Sequence, residues 1–139
     1  MFHNAQNAIR AYANTEAAGA MAASPHRLVE MLFEGAQIAV AAARTHVQLG
    51  RVQQKCESIA KAIAIIDDGL RASLDMNSGG ELAERLASLY DYMVLRLTQA
   101  NTGAETEPLD EVGLLLTELA GAWRSITKGE QRVASVTGA

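Results

Sequence analysis

Four blocks of this sequence carry large apolar residues every three or four positions, and turn-forming residues separate each block from the next. The four apolar stripes are Leu28, Leu32, Ala36, Ala39, Ala43 and Val47; Cys56, Ile59, Ile63, Ile66, Leu70 and Leu74; Leu82, Leu86, Leu89, Tyr90, Met93 and Leu97; and Leu109, Val112, Leu115, Leu116, Leu119, Trp123 and Ile126. Side chains with this spacing share one face of an α-helix, and short connections favour antiparallel neighbours. The pattern predicts an all-α fold: an antiparallel up-down-up-down four-helix bundle with a short N-terminal helix or arm.

Residues with special backbone preferences indicate where the predicted helices begin and end. Ser24 can accept hydrogen bonds from free backbone N–H groups, and Pro25 is tolerated at the first position of a helix. Gly50 can adopt the left-handed conformation that ends a helix. The turn-forming run at 75–80 separates the second helix from the third, and Pro108 opens the fourth.

The chain divides into three predicted parts. Residues 24–128 form the bundle, because Lys128 and Gly129 are typical of the end of a helix. Residues 1–23 are rich in alanine and asparagine and predict an N-terminal arm or short helix. Residues 129–139 are predicted to form a flexible C-terminal tail.

Composition and charge restrict the class of protein. The 139 residues are 49% hydrophobic, which is enough for one domain with a single core. The net charge is −4, and the twelve lysines and arginines are scattered singly, so the sequence lacks the basic patch that nucleic acid binding requires. Cys56 is the single cysteine, which excludes an internal disulfide framework and fits a reducing compartment. Without a secretory signal pattern or an apolar run long enough for a membrane span, we expect a soluble cytoplasmic protein.

The polar residues form no pattern typical of an active site or a metal site. His3, His26 and His46 lie in different elements, and the chain contains neither HExxH nor ExxH, the ligand patterns of zinc peptidases and di-iron bundles. The turn that begins at Asp75 resembles a calcium loop, but Leu86 occupies the position that requires a bidentate glutamate. We therefore expect no enzyme activity, no cofactor and no metal.

One alternative function depends on His46. A histidine phosphotransfer domain in a signalling relay is also a small, acidic four-helix bundle, and the run around its phosphorylated histidine resembles HxxKG. Here the run from His46 to Gly50 has Leu49 where a cation is needed. Uptake of phosphate on His46 would distinguish this alternative.

Large apolar residues also lie outside the main stripe of each helix. A monomeric bundle needs to bury only one stripe per helix, so additional apolar residues beside alanine and glycine are what an open binding groove requires. Ordinary core edges and scattered exposure also produce such residues. The candidate partner-binding residues are Ile9, Tyr12, Met31, Ile38, Ile65, Tyr92, Leu95 and Leu114.

Three local signatures, in this order along the chain, resemble the flagellin export chaperones of the FliS family. They are ASPHRL at 23–28 followed by Met31 and Leu32, the helix start GGE at 79–81, and LYDYM at 89–93. Each signature is modest by itself, but their order and spacing together are specific. The similarity extends over most of the chain.

This resemblance implies a fold and a function. Members of the family are antiparallel four-helix bundles with a short N-terminal helix, and they have neither catalytic activity nor a cofactor. They bind the C-terminal segment of newly made flagellin in the bacterial cytosol, prevent early polymerisation and deliver it to the flagellar type III export gate. Other flagellar regulators are further partners of the family. In this setting we expect the N-terminal arm, through Ile9 and Tyr12, to cover one groove until the client displaces it.

Overall fold

The computed structural model describes residues 24–103 and 105–137, with side chains as far as residue 126. Throughout these ranges the regular structure is helical, and they contain no strand, which confirms the predicted all-α bundle. A π-helical segment directly continues the second helix. The elements are α1 (Pro25–Gln48), α2 (Val52–Ala64), the π segment (Ile65–Arg71), α3 (Gly80–Thr102) and α4 (Glu107–Thr137).

The helix ends follow the predicted signals in most places. The Ser24 hydroxyl accepts a hydrogen bond from the Arg27 backbone N–H at 3.2 Å, and Pro25 is the first residue of α1. Gly50 lies just beyond α1 with φ of +69°, and Gly80 begins α3 with φ of +58°. Because L-residues with a Cβ avoid this region, glycine is the residue that both turns favour.

The end of α4 differs from the prediction. The helix was expected to close at Lys128 and Gly129, but its backbone continues to Thr137. A glycine inside a helix costs about 1 kcal/mol relative to alanine, which does not by itself end the helix. The predicted arm at 1–23, with Ile9 and Tyr12, lies outside the described residues.

The four helices pack around one core, and α1 makes the most extensive contacts. It lies against α2, the π segment and α4, whereas α3 packs on α4, the π segment and α2. The Trp123 indole N–H donates to the His26 carbonyl at 2.9 Å, and Arg44 pairs with Asp110. These contacts join the start of α1 to a late part of α4 and the end of α1 to the start of α4. The two helices are therefore antiparallel, as an up-down-up-down order requires.

The core combines large aliphatic side chains with closely packed alanines. Ala36, Ala43 and Ala62 are fully buried and have little volume, so α1 and α2 can approach closely there. The largest fully buried side chains are Leu32, Ile59, Ile66, Leu70, Met93, Leu97, Leu109, Val112 and Leu116. All of them lie on the predicted stripes, so the periodicity of the sequence identified the centre of the core.

Gly50→Ala should destabilise the fold by about 1–2 kcal/mol, the cost of a left-handed conformation for an L-residue. No atom lies within 4 Å of the position that a Cβ at Gly50 would occupy, so the cost comes from the backbone alone. Chemical denaturation would measure it. Gly121→Ala, at a helical glycine with equally open surroundings, is the control and should stabilise by about 0.5–1 kcal/mol. Equal effects of the two substitutions would contradict this explanation.

A candidate partner-binding surface

The structure describes six of the predicted partner-binding residues, and four of them are exposed. Ile38 on α1, Leu95 on α3 and Leu114 on α4 are 66%, 54% and 62% exposed, and Tyr92 on α3 is 40% exposed. Large apolar side chains that remain this accessible add nothing to the core. They are the residues on which a partner surface can be built.

Met31 is not part of such a surface. It is 4% exposed, and its neighbours Leu32 and Phe33 are also buried, at 1% and 3%, so the expectation that Met31 adds accessible apolar surface was wrong. The reason is the extensive packing of α1 against α2, the π segment and α4. A helix with neighbours on several sides buries a face wider than one stripe.

Ile65 is also buried, with 8% exposure, although the sequence predicted accessible apolar surface there. The π segment explains the difference. A π turn contains more residues than an α turn, because its hydrogen bonds join residue i to i+5. Ile65 and Ile66 therefore both face the core, followed by Gly69 and Leu70. A Cβ on Gly69 would lie 3.0 Å from Leu32 Cδ2, so α1 and the π segment are in close contact.

Three stripe residues are more accessible than predicted. Leu82 and Ile126 are 65% and 50% exposed, and Cys56 is only partly buried. In the first turns of α3 the buried side chains are Ala83 and Ala87 instead of Leu82. The stripes therefore describe the middle of the bundle better than its ends.

A groove with a volume of about 360 Å³ lies between α1 and α4. Val40 and Leu109 form its buried floor, and Ala41 and Gly113 leave space above it. Its polar lining consists of Gln37, Arg44, Asp110 and Thr117. The groove thus has an apolar floor beneath a polar rim, the usual composition of a binding site. We call it the α1–α4 groove.

Two polar bridges join α1 to α4 across this groove. Arg44 Nε donates to Asp110 Oδ1 at 2.5 Å, and Gln37 Nε2 donates to the Thr117 hydroxyl at 3.2 Å. Both hydrogen bonds are exposed to solvent. Exposed pairs of this kind contribute about 0–1 kcal/mol each, so a ligand that enters the groove can displace them at low cost.

Ile38 and Leu114 are exposed aliphatic residues on the two helices that form the α1–α4 groove, but neither lines it. Ile38 follows Gln37 on α1, and Leu114 follows Gly113 on α4, so each lies next to a residue that lines the groove. Both side chains point away from the core, as their exposure shows. The candidate surface on these two helices is therefore the groove itself, and Ile38 and Leu114 lie outside it.

A second exposed region lies where α3 meets α4. The Tyr92 hydroxyl and Arg96 Nε both donate to Glu111 Oε1 at 2.7 Å. The hydrogen bond to Glu111 raises the pKa of Tyr92. The hydrogen bonds from Tyr92 and Arg96 lower the pKa of Glu111, which therefore stays ionised at neutral pH. These contacts hold the exposed Tyr92 ring in a fixed position beside α4.

Sequence reasoning missed most residues that line the α1–α4 groove. Gln37, Arg44, Asp110 and Thr117 resemble ordinary solvated residues, because nothing in the sequence indicates that helices some 70 residues apart pair along this edge. The available signal was the small residues: Ala41 on α1 and Gly113 on α4 are both unable to fill the space between the helices.

The structure also locates His46 and bears on the predictions about metal sites and membrane spans. His46 lies in the last turn of α1. Its Nδ1 atom is buried and forms no hydrogen bond with the residues that the structure describes. Within the same residues, no three His, Cys, Asp or Glu side chains are grouped so that they could hold a metal ion. None of the helices searched there is both long and apolar enough to cross a membrane.

Comparisons with known proteins all indicate the same family. The family model described as flagellar protein FliS matches residues 5–130 of this chain. The flagellar secretion chaperone FliS of Salmonella typhimurium is 48% identical over 120 residues, covering 86% of this chain and 89% of that protein.

More distant relatives carry the same description. The flagellar secretion chaperone FliSB of Pseudomonas aeruginosa is 45% identical over 105 residues, which cover 76% of this chain and 82% of that protein. FliS of Bacillus subtilis is 30% identical over 110 residues, covering 79% and 80%. FliS is a family of chaperones and not of enzymes or phosphotransfer domains, which agrees with a bundle whose distinctive feature is accessible apolar surface. The chain belongs to the FliS family of flagellar secretion chaperones.

Proposed function

We propose that this protein is a cytosolic export chaperone that binds the disordered C-terminal segment of flagellin. Bound to the chaperone, flagellin cannot polymerise early, and the complex is delivered to the flagellar type III export apparatus. The observation that supports this most is the α1–α4 groove, with its apolar floor at Val40 and Leu109, in a member of the FliS family.

The physical mechanism is helix-in-groove recognition. A flagellin terminus that is disordered as a monomer forms amphipathic helices only where their apolar face can be buried. In the α1–α4 groove, such a helix would contact the floor at Val40 and Leu109 and displace the exposed Arg44–Asp110 pair. The apolar face of the client is then unavailable to other flagellin molecules.

Release is compatible with this mechanism because the net affinity is limited. Ordering a disordered segment consumes about 2–5 kcal/mol of the interaction energy, so a single groove holds a helix only moderately. A client that contacts several exposed regions binds more firmly, and its helices can still detach one after another. The exposed side chain of Ile38 on α1 is available for such an additional contact.

Gly113→Leu tests the groove. The leucine side chain would extend from a position where a Cβ lies 3.7 Å from Val40 and would fill the space that the client needs. We expect the affinity for a flagellin C-terminal fragment, measured by calorimetry, to fall at least about tenfold, which corresponds to 1.4 kcal/mol. A flagellin fragment truncated before the C-terminal segment should not bind.

Gly121→Leu is the matched control, because it makes the same substitution in the same helix at an open position outside the groove. It should leave the affinity for flagellin nearly unchanged. If Gly113→Leu binds the fragment as tightly as Gly121→Leu does, the client does not use the α1–α4 groove.

The N-terminal arm is proposed to regulate access to a groove. Ile9 and Tyr12 lie three residues apart and share one face if the arm is helical. We propose that they cover a groove in the free protein and become available to the export gate when flagellin displaces them. Changing both to alanine should leave the bundle folded, as circular dichroism would show, and should alter the affinity for flagellin or for the export gate protein. Unchanged binding of both partners would exclude this role.

A further inference from the structure

The outward face of α4 combines an exposed leucine with four carboxylates. Leu114 is 62% exposed and lies three or four residues from Asp110, Glu111 and Glu118, which is one helical turn. Glu107 precedes Glu111 by one further turn. Residues 107–118 contain neither lysine nor arginine.

Nearby cations neutralise this face only in part. Arg44 pairs with Asp110, and Arg96 contacts Glu111 at 2.7 Å and Glu107 at 3.8 Å. The side chain of Glu107 is 81% exposed, and Glu118 has no ion pair with any residue that the structure describes. Two arginines therefore face four carboxylates, and the face around Leu114 keeps a negative charge.

The helix dipole explains only some of these carboxylates. Glu107 and Asp110 lie in the first turn of α4, where negative charge is favourable. Glu118 lies about two turns beyond Asp110 and three beyond Glu107, outside the reach of that effect. A row of carboxylates alone would be an ordinary solvated face, but this row surrounds a large exposed aliphatic side chain.

The neighbouring surface of α3 contributes two more apolar groups. Tyr92 is held beside α4 by its 2.7 Å hydrogen bond to Glu111, and Leu95 follows Tyr92 by one turn and is 54% exposed. Aromatic side chains held in place in this way lose little conformational freedom on binding and often dominate the energy of an interface. We call Tyr92, Leu95 and Leu114, with Glu107 and Glu118, the α3–α4 face.

We propose that the α3–α4 face is a second docking site, which binds an amphipathic helix of a partner protein whose apolar stripe is flanked by lysine or arginine. The apolar trio takes the stripe of the partner, and the unneutralised carboxylates select its positive charges. Charge complementarity of this kind increases the association rate and excludes segments of the wrong sign. This site is separate from the α1–α4 groove and does not depend on flagellin binding there.

Two designed peptides of 18 residues test the proposal on the full chain. They share the same leucine stripe at helical spacing, and their polar positions are all lysine in one and all glutamate in the other. Calorimetry at low ionic strength should show the lysine peptide binding at least about tenfold more tightly, and this preference should decrease as salt screens the charges. Leu114→Ala should weaken binding of the lysine peptide, whereas Ile38→Ala, at an equally exposed aliphatic residue of α1, should not.

The charge-neutral variant Glu107→Gln/Glu118→Gln supplies the decisive comparison. Both side chains are exposed, and Glu111, which holds Tyr92 and Arg96, is left intact, so the fold is preserved. The preference for lysine over glutamate should fall to near parity in this variant. The proposal is overturned if the wild-type chain binds both peptides equally or binds neither, or if the preference persists in the variant.

Discussion

Leu32→Ala is expected to lower the free energy of unfolding by about 3–4 kcal/mol, the largest effect we predict. Leu32 is 1% exposed and occupies the contact between α1 and the π segment, where its Cδ2 would lie 3.0 Å from a Cβ on Gly69. Truncation removes buried methyl groups and leaves a cavity that two helices in such close contact cannot easily close. Denaturation with guanidinium chloride would measure the loss.

A double-mutant cycle with Gly69→Ala sharpens this prediction. In the wild-type background the new methyl group would press on Leu32, so Gly69→Ala should destabilise the fold. In the Leu32→Ala background the obstructing side chain is absent, and the cost of Gly69→Ala should decrease. Coupled effects are expected for residues in contact. Simple additivity of the two substitutions would show that Leu32 and Gly69 are not in close contact.

Lys55→Met should destabilise the fold by about 2–3 kcal/mol, because hydrogen bonds from a charged donor are stronger than neutral ones. Lys55 is 8% exposed on α2, and its Nζ donates at 3.1 Å to the backbone carbonyls of both Asn101 and Gly103. These carbonyls lie at the C-terminal end of α3, where backbone acceptors lack partners within the helix and positive charge is favourable. Methionine keeps the aliphatic stem but loses both hydrogen bonds.

Lys61→Met provides the control for this second prediction. Lys61 lies on the same helix and is exposed, so its replacement should change the stability by less than about 0.5 kcal/mol. Thermal denaturation of the two variants under identical conditions makes the comparison. If Lys55→Met is no more destabilising than Lys61→Met, the capping of α3 by α2 contributes nothing to stability.

The burial and capping role of Lys55 could not be predicted from the sequence. In the sequence it is one lysine among polar residues before Cys56, and nothing marks it as buried. Its role depends on the end of α3, which is about 46 residues away along the chain. A contact of this kind exists only after the helices have packed.

The prediction of exposed apolar residues was correct at some positions and wrong at others, and the difference also has a physical reason. Ile38, Leu95 and Leu114 are exposed, but Met31 and Ile65 are buried. Periodicity indicates which face of a helix is apolar, but it does not indicate how many neighbours the helix has. The extensive packing of α1 widened its buried face, and the π segment allows Ile65 to face the core together with Ile66.

By itself the sequence determined the helical class, the positions of the turns at Gly50 and Gly80, and the residues at the centre of the core. These features depend on interactions between residues close together in the chain, and on apolar spacing that repeats along it. Only the tertiary structure decided that α1 and α4 lie side by side and leave a groove above Val40 and Leu109, and that Lys55 caps α3. Those features join residues far apart in the sequence, so they depend on which helices become neighbours and at what distance.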